Sequence, residues 1–177
     1  MQHQKVLDIS CGNGVGSKVY HKFLAPKFTL GVDTAETLIA NAKCNFSQPG
    51  SVEFLQADAS FLPIASNSFD LIFNIASSHQ YGHKLNFLKE VNRILKPKGY
   101  FSYIDFDLKH NPQSMMLKNF IHNSSQLQII KKVDLTKMVQ LAIFNKITFM
   151  EANLYRFIKQ TYGEQPEQFI PEFEALL

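Results

Sequence analysis

Cysteine is scarce in this chain of 177 residues, and its two cysteines, Cys11 and Cys44, show neither the spacing of metal ligands nor a disulfide framework. Long hydrophobic runs are lacking too. No stretch approaches the roughly 20 apolar residues of a membrane-spanning helix, and the amino terminus lacks an apolar segment of signal-peptide length. We therefore expect a cytoplasmic protein with no metal site and no membrane span.

Clustered charge of one sign is also missing. The formal net charge is +3, and the basic residues form only short groups, Lys131 with Lys132 and Lys96 with Lys98. No basic stripe follows a phosphate backbone, so nucleic acid is not an expected partner. The length and a hydrophobic content of 45% suit one domain with its own core. We predict a single domain over 1–177, with a core at 4–106 and a helical, acceptor-side region at 107–177.

The most informative stretch is VLDISCGNGVGS, at residues 6–17. A buried-strand pattern containing Asp8 runs into a glycine-rich turn that opens a helix, which is typical of a nucleotide-type cofactor site. Glycine allows a sharp turn and lets a ligand approach the backbone amides. The dinucleotide fingerprint G-x-G-x-x-G would place its third glycine at position 17, where Ser17 stands. A carboxylate at Asp8 favours a cationic ligand over a pyrophosphate.

Two further strand patterns end in acids. FTLGVD ends at Asp33, about 20 residues past the glycine turn, where a carboxylate can accept bonds from both ribose hydroxyls. SVEFLQAD ends at Asp58, followed by Ala59, and an acid there suits an adenine amine that needs an acceptor. The run FDLIFNIASSH is apolar enough for a strand in the middle of a sheet.

Strands and helices alternate along the chain, which predicts a doubly wound, mostly parallel α/β sheet with helices on both faces. We predict strands near 4–10, 28–33, 52–57, 69–75 and 99–105. A helix is predicted at 84–96, with an apolar stripe of Leu85, Leu88, Val91 and Leu95, ended by Pro97 and Gly99. Later helical segments are predicted at 113–123 and 134–162, with an edge strand at 127–133 between them.

In this order, the four motifs resemble those of the class I S-adenosylmethionine-dependent methyltransferases over about 4–106. The resemblance implies a Rossmann-like fold, S-adenosylmethionine as cofactor and S-adenosylhomocysteine as product. The residues that it assigns to the cofactor are Asp8, Ser10, Cys11, Gly12, Gly14 and Gly16 for the methionine end, Asp33 for the ribose, Asp58 and Ala59 for the adenine, and the Asn74 backbone along the cleft. The chain departs from the family pattern twice, with Ser10 and Lys98 standing where glycine is usual.

The segments NIASSHQY and YIDF are similar to those of small-molecule O-methyltransferases, including enzymes that act on phthiotriol and phenolphthiocerol lipids. This similarity implies that His79 and Asp105 flank a hydroxylated small-molecule or lipid-like acceptor. A hydroxyl nucleophile needs a base, and imidazole accepts protons near neutral pH. We therefore predict His79 as general base, with Asp105 orienting the ring or binding the acceptor.

Two alternatives stay open at this stage, and the sequence disfavours two more. An amine acceptor would need no base, so N-methylation is one. A second is a protein that binds the cofactor but is catalytically silent. Methylation of nucleic-acid bases lacks its Asn/Asp-Pro-Pro-aromatic motif, since Ile75 and Ala76 follow Asn74. An NAD-dependent oxidoreductase has the wrong glycine spacing.

Both ends of the chain differ from the family pattern. The first strand starts about four residues into the chain, so the helix that usually closes the cofactor cleft is not expected. The final antiparallel strand of the family sheet is not expected either. We therefore expect a trimmed or shortened chain, or a sheet completed by a partner chain or by a second copy.

Overall fold

A computed structural model describes residues 4–105, 112–123, 127–142 and 145. The contacts divide the chain into two compact units, Met1–Ile129 and Ile130–Leu177. The assignment of 1–177 to one domain stays a prediction.

The first unit alternates strands with helices, as predicted. Its strands are β1 (Lys5–Ile9), β2 (Phe28–Asp33), β3 (Val52–Gln56), β4 (Phe69–Ile75) and β5 (Leu95–Ile104). Its helices are α1 (Val15–Leu24), α2 (Glu36–Phe46), α3 (Lys84–Ile94) and α4 (Pro112–Asn123), and a single 3₁₀ turn spans Ser78–Gln80.

The five strands form one parallel sheet in the order β3-β2-β1-β4-β5. The chain builds outwards from β1 to β3, then returns to the other side of β1 with β4. Right-handed crossovers then place α1 and α2 on one face and α3 on the other. The predicted α/β, Rossmann-like, doubly wound fold is confirmed. In such sheets, ligands bind where the winding direction reverses, here at the carboxyl ends of β1 and β4.

The core lies on both faces of the central strands. Val6, Leu7 and Ile9 of β1 are at most 1% exposed, as expected for a strand covered by helices on both sides. The buried positions of α3 are Lys84, Phe87, Leu88, Val91 and Ile94. The predicted stripe was therefore wrong at Leu85, which is 41% exposed, because the helix turns the face carrying Phe87 and Ile94 towards the sheet.

The boundary between α3 and β5 also differs from the prediction. The helix ends at Ile94 rather than 96, and β5 begins at Leu95 rather than 99. Leu95 pairs with Phe69, and the register then shifts before Tyr100 pairs with Leu71. Pro97 and Gly99 thus lie in an irregular part of the strand instead of behind the helix.

The predicted edge strand at 127–133 was wrong. Residues 127–135 form no regular secondary structure. Ile129 and Ile130 are adjacent rather than alternating, and they are 60% and 71% exposed. They therefore lack the one-sided burial that stabilises a strand.

In the second unit, a helix spans 136–142, inside the predicted segment 134–162. Asp134 begins it, since its Oδ1 accepts bonds from the amide nitrogen and the hydroxyl of Thr136. The remainder of that predicted segment, apart from residue 145, lies outside the described residues.

The helix predicted at 113–123 is confirmed by α4 of the first unit. Over the described ranges, no helix combines the length and the apolar character needed to cross a membrane.

Candidate functional site

The glycine-rich turn leaves β1 and enters α1 through three residues with left-handed backbones. Ser10 has a φ of 61°, Gly12 of 56° and Gly14 of 84°. The Cys11 amide donates to Val32 O at 3.0 Å, which joins the turn to the end of β2. The turn therefore lies at the carboxyl edge of the sheet, as the sequence predicted.

The three predicted glycines have different reasons to be glycine. A Cβ on Gly14 would come within 2.8 Å of the Phe54 ring and 2.9 Å of Ala42 Cβ, so this position serves the packing of the turn. A Cβ on Gly16 would meet Asp8 Oδ2 at 3.3 Å. A Cβ on Gly12 meets nothing within 4 Å. Among the three, only Gly12 leaves open space where a ligand can approach the backbone.

Asp33 joins the end of β2 to the glycine turn. Its Oδ2 accepts a bond from the Gly12 amide at 2.9 Å, and its Oδ1 accepts one from the Ala35 amide at 3.0 Å. A carboxylate offers about four lone-pair positions, so Asp33 can accept further bonds from ribose hydroxyls. At the end of β3, Asp58 is exposed and accepts a bond from the Ser60 amide at 2.7 Å.

Asp8 lies beneath the turn and is only 4% exposed. Ser17 Oγ donates to its Oδ2 at 2.7 Å. Burial raises the pKa of Asp8 from 3.8 to about 6. Burial, together with the charges of Asp8 and Asp33, raises the pKa of Cys11 to about 12, so this thiol is neutral and a poor nucleophile at neutral pH.

A cavity of about 520 Å³ opens at this edge of the sheet. It includes four of the predicted cofactor residues, Ser10, Asp33, Asp58 and Ala59. The other predicted cofactor residues, which are Asp8, Cys11, Gly12, Gly14, Gly16 and Asn74, lie outside its lining. Among the described residues that line it, there are two aspartates and no lysine or arginine, so the cavity favours a cationic ligand over a phosphate.

Tyr81 brings polar groups from β1 and β4 together at the cavity wall. Its hydroxyl lies 2.5 Å from Ser10 Oγ and 2.8 Å from Asn74 Nδ2. Asn74 is fully buried, and its Nδ2 also contacts Ile9 O and Ser77 Oγ. The Asn74 side chain thus supports Tyr81, and the predicted role of its backbone along the cofactor cleft stays a prediction.

His79 and Asp105 lie in contact with each other. His79 Nδ1 lies 2.6 Å from Asp105 Oδ1, and the two side chains are 28% and 2% exposed. Ser78 Oγ and Tyr103 OH both contact Asp105 Oδ2. His79 is not among the lining residues of the cavity, although Ser77, Gln80 and Tyr81 on either side of it are.

The amino-acid sequence matches a known protein family. A family model described as a methyltransferase domain matches residues 7–103, more than half of the chain. The chain belongs to the methyltransferase domain family. The predicted family is confirmed. The match runs from within β1 to near the end of β5, and it includes the carboxyl ends of β1 to β4, which line the cavity.

Curated relatives match this methyltransferase domain over part of their length. The phthiotriol/phenolphthiotriol dimycocerosates methyltransferase of Mycobacterium tuberculosis is 39% identical over 102 residues, which cover 58% of this chain and 37% of that protein. A fatty-acid O-methyltransferase of Mycolicibacterium smegmatis is 35% identical over 105 residues, covering 59% and 38%. The matched part of the chain thus spans little more than a third of the length of these relatives.

A solved structure shares the fold. The S-adenosylmethionine-dependent methyltransferase of Mesorhizobium loti superposes with a TM-score of 0.53 at 24% identity, covering 58% of this chain and 46% of that one. At this identity, the likeness supports the parallel five-stranded sheet with its helices.

Several residues at the site were not predicted from the sequence. Tyr81 and His83 both line the cavity, and neither was predicted as a site residue. Ser78 and Tyr103 were not singled out, although both contact Asp105. The available signal was position: the polar residues of SSHQY directly follow the end of β4, and Tyr103 lies two residues before Asp105.

Proposed function

We propose that this chain transfers a methyl group from S-adenosylmethionine to a hydroxyl of a small-molecule or lipid-like acceptor, with His79 as general base and Asp105 as its orienting partner. The observation that carries the proposal is the 2.6 Å contact between His79 Nδ1 and Asp105 Oδ1 at the carboxyl edge of the sheet. A cytoplasmic location stays a prediction.

The contact determines which imidazole nitrogen can act as a base. A carboxylate only accepts hydrogen bonds, so the proton of a neutral His79 ring lies on Nδ1. His79 Nε2 then carries the lone pair. The Gln80 side-chain amide nitrogen lies 3.3 Å from this atom, and an amide nitrogen can donate a hydrogen bond to it. Asp105 therefore orients the ring and stabilises the imidazolium that forms when Nε2 takes the acceptor proton.

The charge of the cavity lining supports a cationic cofactor. A Cβ on Gly12 would meet nothing within 4 Å, and Asp33 and Asp58 line the cavity with no lysine or arginine among the described lining residues. By this proposal, Ser10 and Gly12 hold the methionine end, Asp33 the ribose, and Asp58 with Ala59 the adenine. The cofactor supplies an electrophilic methyl group, so the chain itself must orient the acceptor oxygen, exclude water and remove one proton.

Two features support an oxygen acceptor. A base held by a buried carboxylate has a use with a hydroxyl, whereas an amine reacts through its free lone pair. The names of the two curated relatives refer to a phthiotriol lipid methyltransferase and a fatty-acid O-methyltransferase. A fatty-acid carboxylate would need no base, so dependence on His79 separates these two kinds of oxygen acceptor.

The test measures transfer of labelled methyl from S-adenosylmethionine to a long-chain secondary alcohol, a phenol, a long-chain fatty acid and a primary amine. We expect methylation of a hydroxylated acceptor. His79→Ala should lower that rate by about 10²-fold or more while the affinity for S-adenosylhomocysteine is unchanged. Asp105→Asn should lower the rate too, because the ring loses its orienting carboxylate.

The matched control is His122→Ala, which removes an exposed histidine on α4 and should leave the rate unchanged. Loss of rate in His83→Ala but not in His79→Ala would assign the base to His83 instead. Methylation of the fatty acid or the amine alone, without dependence on His79, would contradict the hydroxyl proposal. Tight cofactor binding without turnover on any of the four acceptors would favour the catalytically silent homologue.

A further inference from the structure

We infer that Asn74, Tyr81 and Ser10 form a hydrogen-bond relay that aims the Ser10 hydroxyl into the cofactor cavity, as a donor to the carboxylate of the cofactor's amino-acid end. The inference rests on the proposed cofactor. It gives the serine at an unusual position in the glycine turn a binding role, and it gives Tyr81 a positioning role.

Ser10 occupies a backbone that favours glycine. Its φ of 61° is left-handed, a conformation that is strained for a residue with a Cβ. Its hydroxyl is partnered by Tyr81, and both residues line the cavity. A function for the Ser10 hydroxyl in the cavity would explain why serine occupies a backbone conformation that favours glycine.

The direction of the relay follows from which groups can donate. An amide nitrogen only donates, so Asn74 Nδ2, at 2.8 Å, gives a proton to the oxygen of Tyr81. Burial raises the pKa of Tyr81, so the phenol keeps its own proton. With its oxygen accepting from Asn74, the Tyr81 hydroxyl has two neighbouring acceptors, Ser10 Oγ at 2.5 Å and Ser77 Oγ at 3.3 Å. We assign its proton to the shorter contact, with Ser10.

Ser10 is then left with a proton to donate. In the part of the chain that the structure describes, Tyr81 is the one hydrogen-bond partner of Ser10 Oγ. Since Ser10 lines the cavity, its hydroxyl proton can point to a bound ligand. Consecutive hydrogen bonds polarise one another, which strengthens the last hydrogen bond of the relay, the one from Ser10 to the ligand. The carboxylate is the anionic group of the cofactor and the strongest acceptor that it offers.

The relay is held rigidly. Asn74 is fully buried, and its Nδ2 lies 3.2 Å from Ile9 O at the end of β1. The Tyr81 ring packs edge-on against Phe87 of α3, with ring centroids 5.0 Å apart. The Tyr81 hydroxyl therefore has a fixed position before any ligand arrives, which reduces the entropy lost on binding.

The experiment compares two ligands by calorimetric titration: S-adenosylhomocysteine and its decarboxylated analogue, which keeps the amine and the thioether. The variants are Ser10→Gly, Tyr81→Phe and the double variant. Glycine suits a φ of 61°, and phenylalanine keeps the ring against Phe87, so both substitutions should preserve the fold. Tyr100→Phe, at a side chain that is 58% exposed on β5, is the matched control.

We expect Ser10→Gly to weaken S-adenosylhomocysteine binding about tenfold or more, the size of a lost bond to a charged group. Tyr81→Phe should weaken it by a smaller factor, and the double variant should bind like Ser10→Gly. The decarboxylated analogue should bind wild type and all variants alike. A purely structural role would lower the melting temperature and leave this difference between ligands unchanged.

The inference is overturned if the variants bind S-adenosylhomocysteine like wild type, or if they weaken both ligands equally. Either result leaves the proposed function intact, because wild type would still bind the cofactor product. Failure of folded wild type to bind S-adenosylhomocysteine at all would instead contradict the proposed function together with the relay.

Discussion

Ser17 Oγ donates a 2.7 Å hydrogen bond to Asp8 Oδ2 beneath the glycine turn, where Asp8 is 4% exposed and Ser17 is fully buried. One hydrogen bond does not offset the loss of water around this carboxylate. The pKa of Asp8 therefore rises from 3.8 to about 6, with burial as the largest cause and the Ser17 bond opposing it.

This shift predicts how stability changes with pH. The folded protein keeps the Asp8 proton to a higher pH than the unfolded chain, so the free energy of unfolding falls as pH rises from about 4 to about 6. Asp8→Asn removes this titration and can still accept the Ser17 bond. We expect the variant to gain on the order of 3 kcal/mol relative to wild type between about pH 4 and about pH 7 in urea unfolding. A constant difference between the two proteins across that range would contradict the buried-carboxyl account.

Gly12 and Gly14 should respond differently to alanine. At Gly14, a Cβ would collide with Phe54 and Ala42 and would also face a φ of 84°, so Gly14→Ala should destabilise the fold by several kcal/mol. At Gly12, the Cβ has open space, so Gly12→Ala should cost only about 1–2 kcal/mol of backbone strain.

Cofactor binding is a second property in which Gly12→Ala and Gly14→Ala can be compared. The open space at Gly12 is where we place the ligand, so Gly12→Ala should remain folded and lose affinity for S-adenosylhomocysteine. Unfolding curves and calorimetry on both variants check this. Unchanged affinity in a folded Gly12→Ala protein would show that the ligand does not approach the turn there.

Glu90 holds the loop between β3 and β4 against α3. Its carboxylate accepts two bonds of 2.8 Å from Arg93 and one from the Leu62 amide. The Arg93 bonds hold the pKa of Glu90 below its ordinary value. The stabilisation is thus present at neutral pH and is lost as pH falls through the lowered pKa.

Glu90→Gln should therefore lower the free energy of unfolding by about 1 kcal/mol at neutral pH, since Arg93 is partly exposed to solvent. The difference from wild type should shrink on acidification. Glu53→Gln, an exposed carboxylate on β3 bonded to the Gly50 amide, is the control and should have a smaller effect. A loss in Glu90→Gln that does not depend on pH would point to packing rather than to charge.

Much of this architecture could be predicted from the sequence because its signals are local. The continuous apolar runs of β1 and β4 require a buried parallel sheet, and acids at the strand ends mark one edge. Asp33 and Asp58 accordingly line the cavity, and His79 meets Asp105 across 26 positions of sequence. The two positions that depart from the family pattern, Ser10 and Lys98, both have left-handed backbones, which explains why glycine is usual there.

The rest depended on tertiary contacts that the sequence pattern does not contain. The start of β5 at Leu95 follows from its pairing with Phe69, which overrides the helix-ending signal of Pro97. The burial of Asp8 away from the cavity depends on where Ser17 lies after α1 folds back. The hydroxyl cluster at Tyr81 joins residues 71 positions apart, so it could not be predicted from spacing.

The most direct test of the central claim is calorimetric titration of wild type, Asp33→Ala and Glu53→Ala with S-adenosylhomocysteine. Asp33 links the cavity to the glycine turn through the Gly12 amide, whereas Glu53 is an exposed carboxylate near the start of β3. We predict micromolar binding by wild type and Glu53→Ala, weakened at least about tenfold in Asp33→Ala. Absence of binding by folded wild type, or equal binding by all three proteins, would contradict a methyltransferase cofactor site in this cavity.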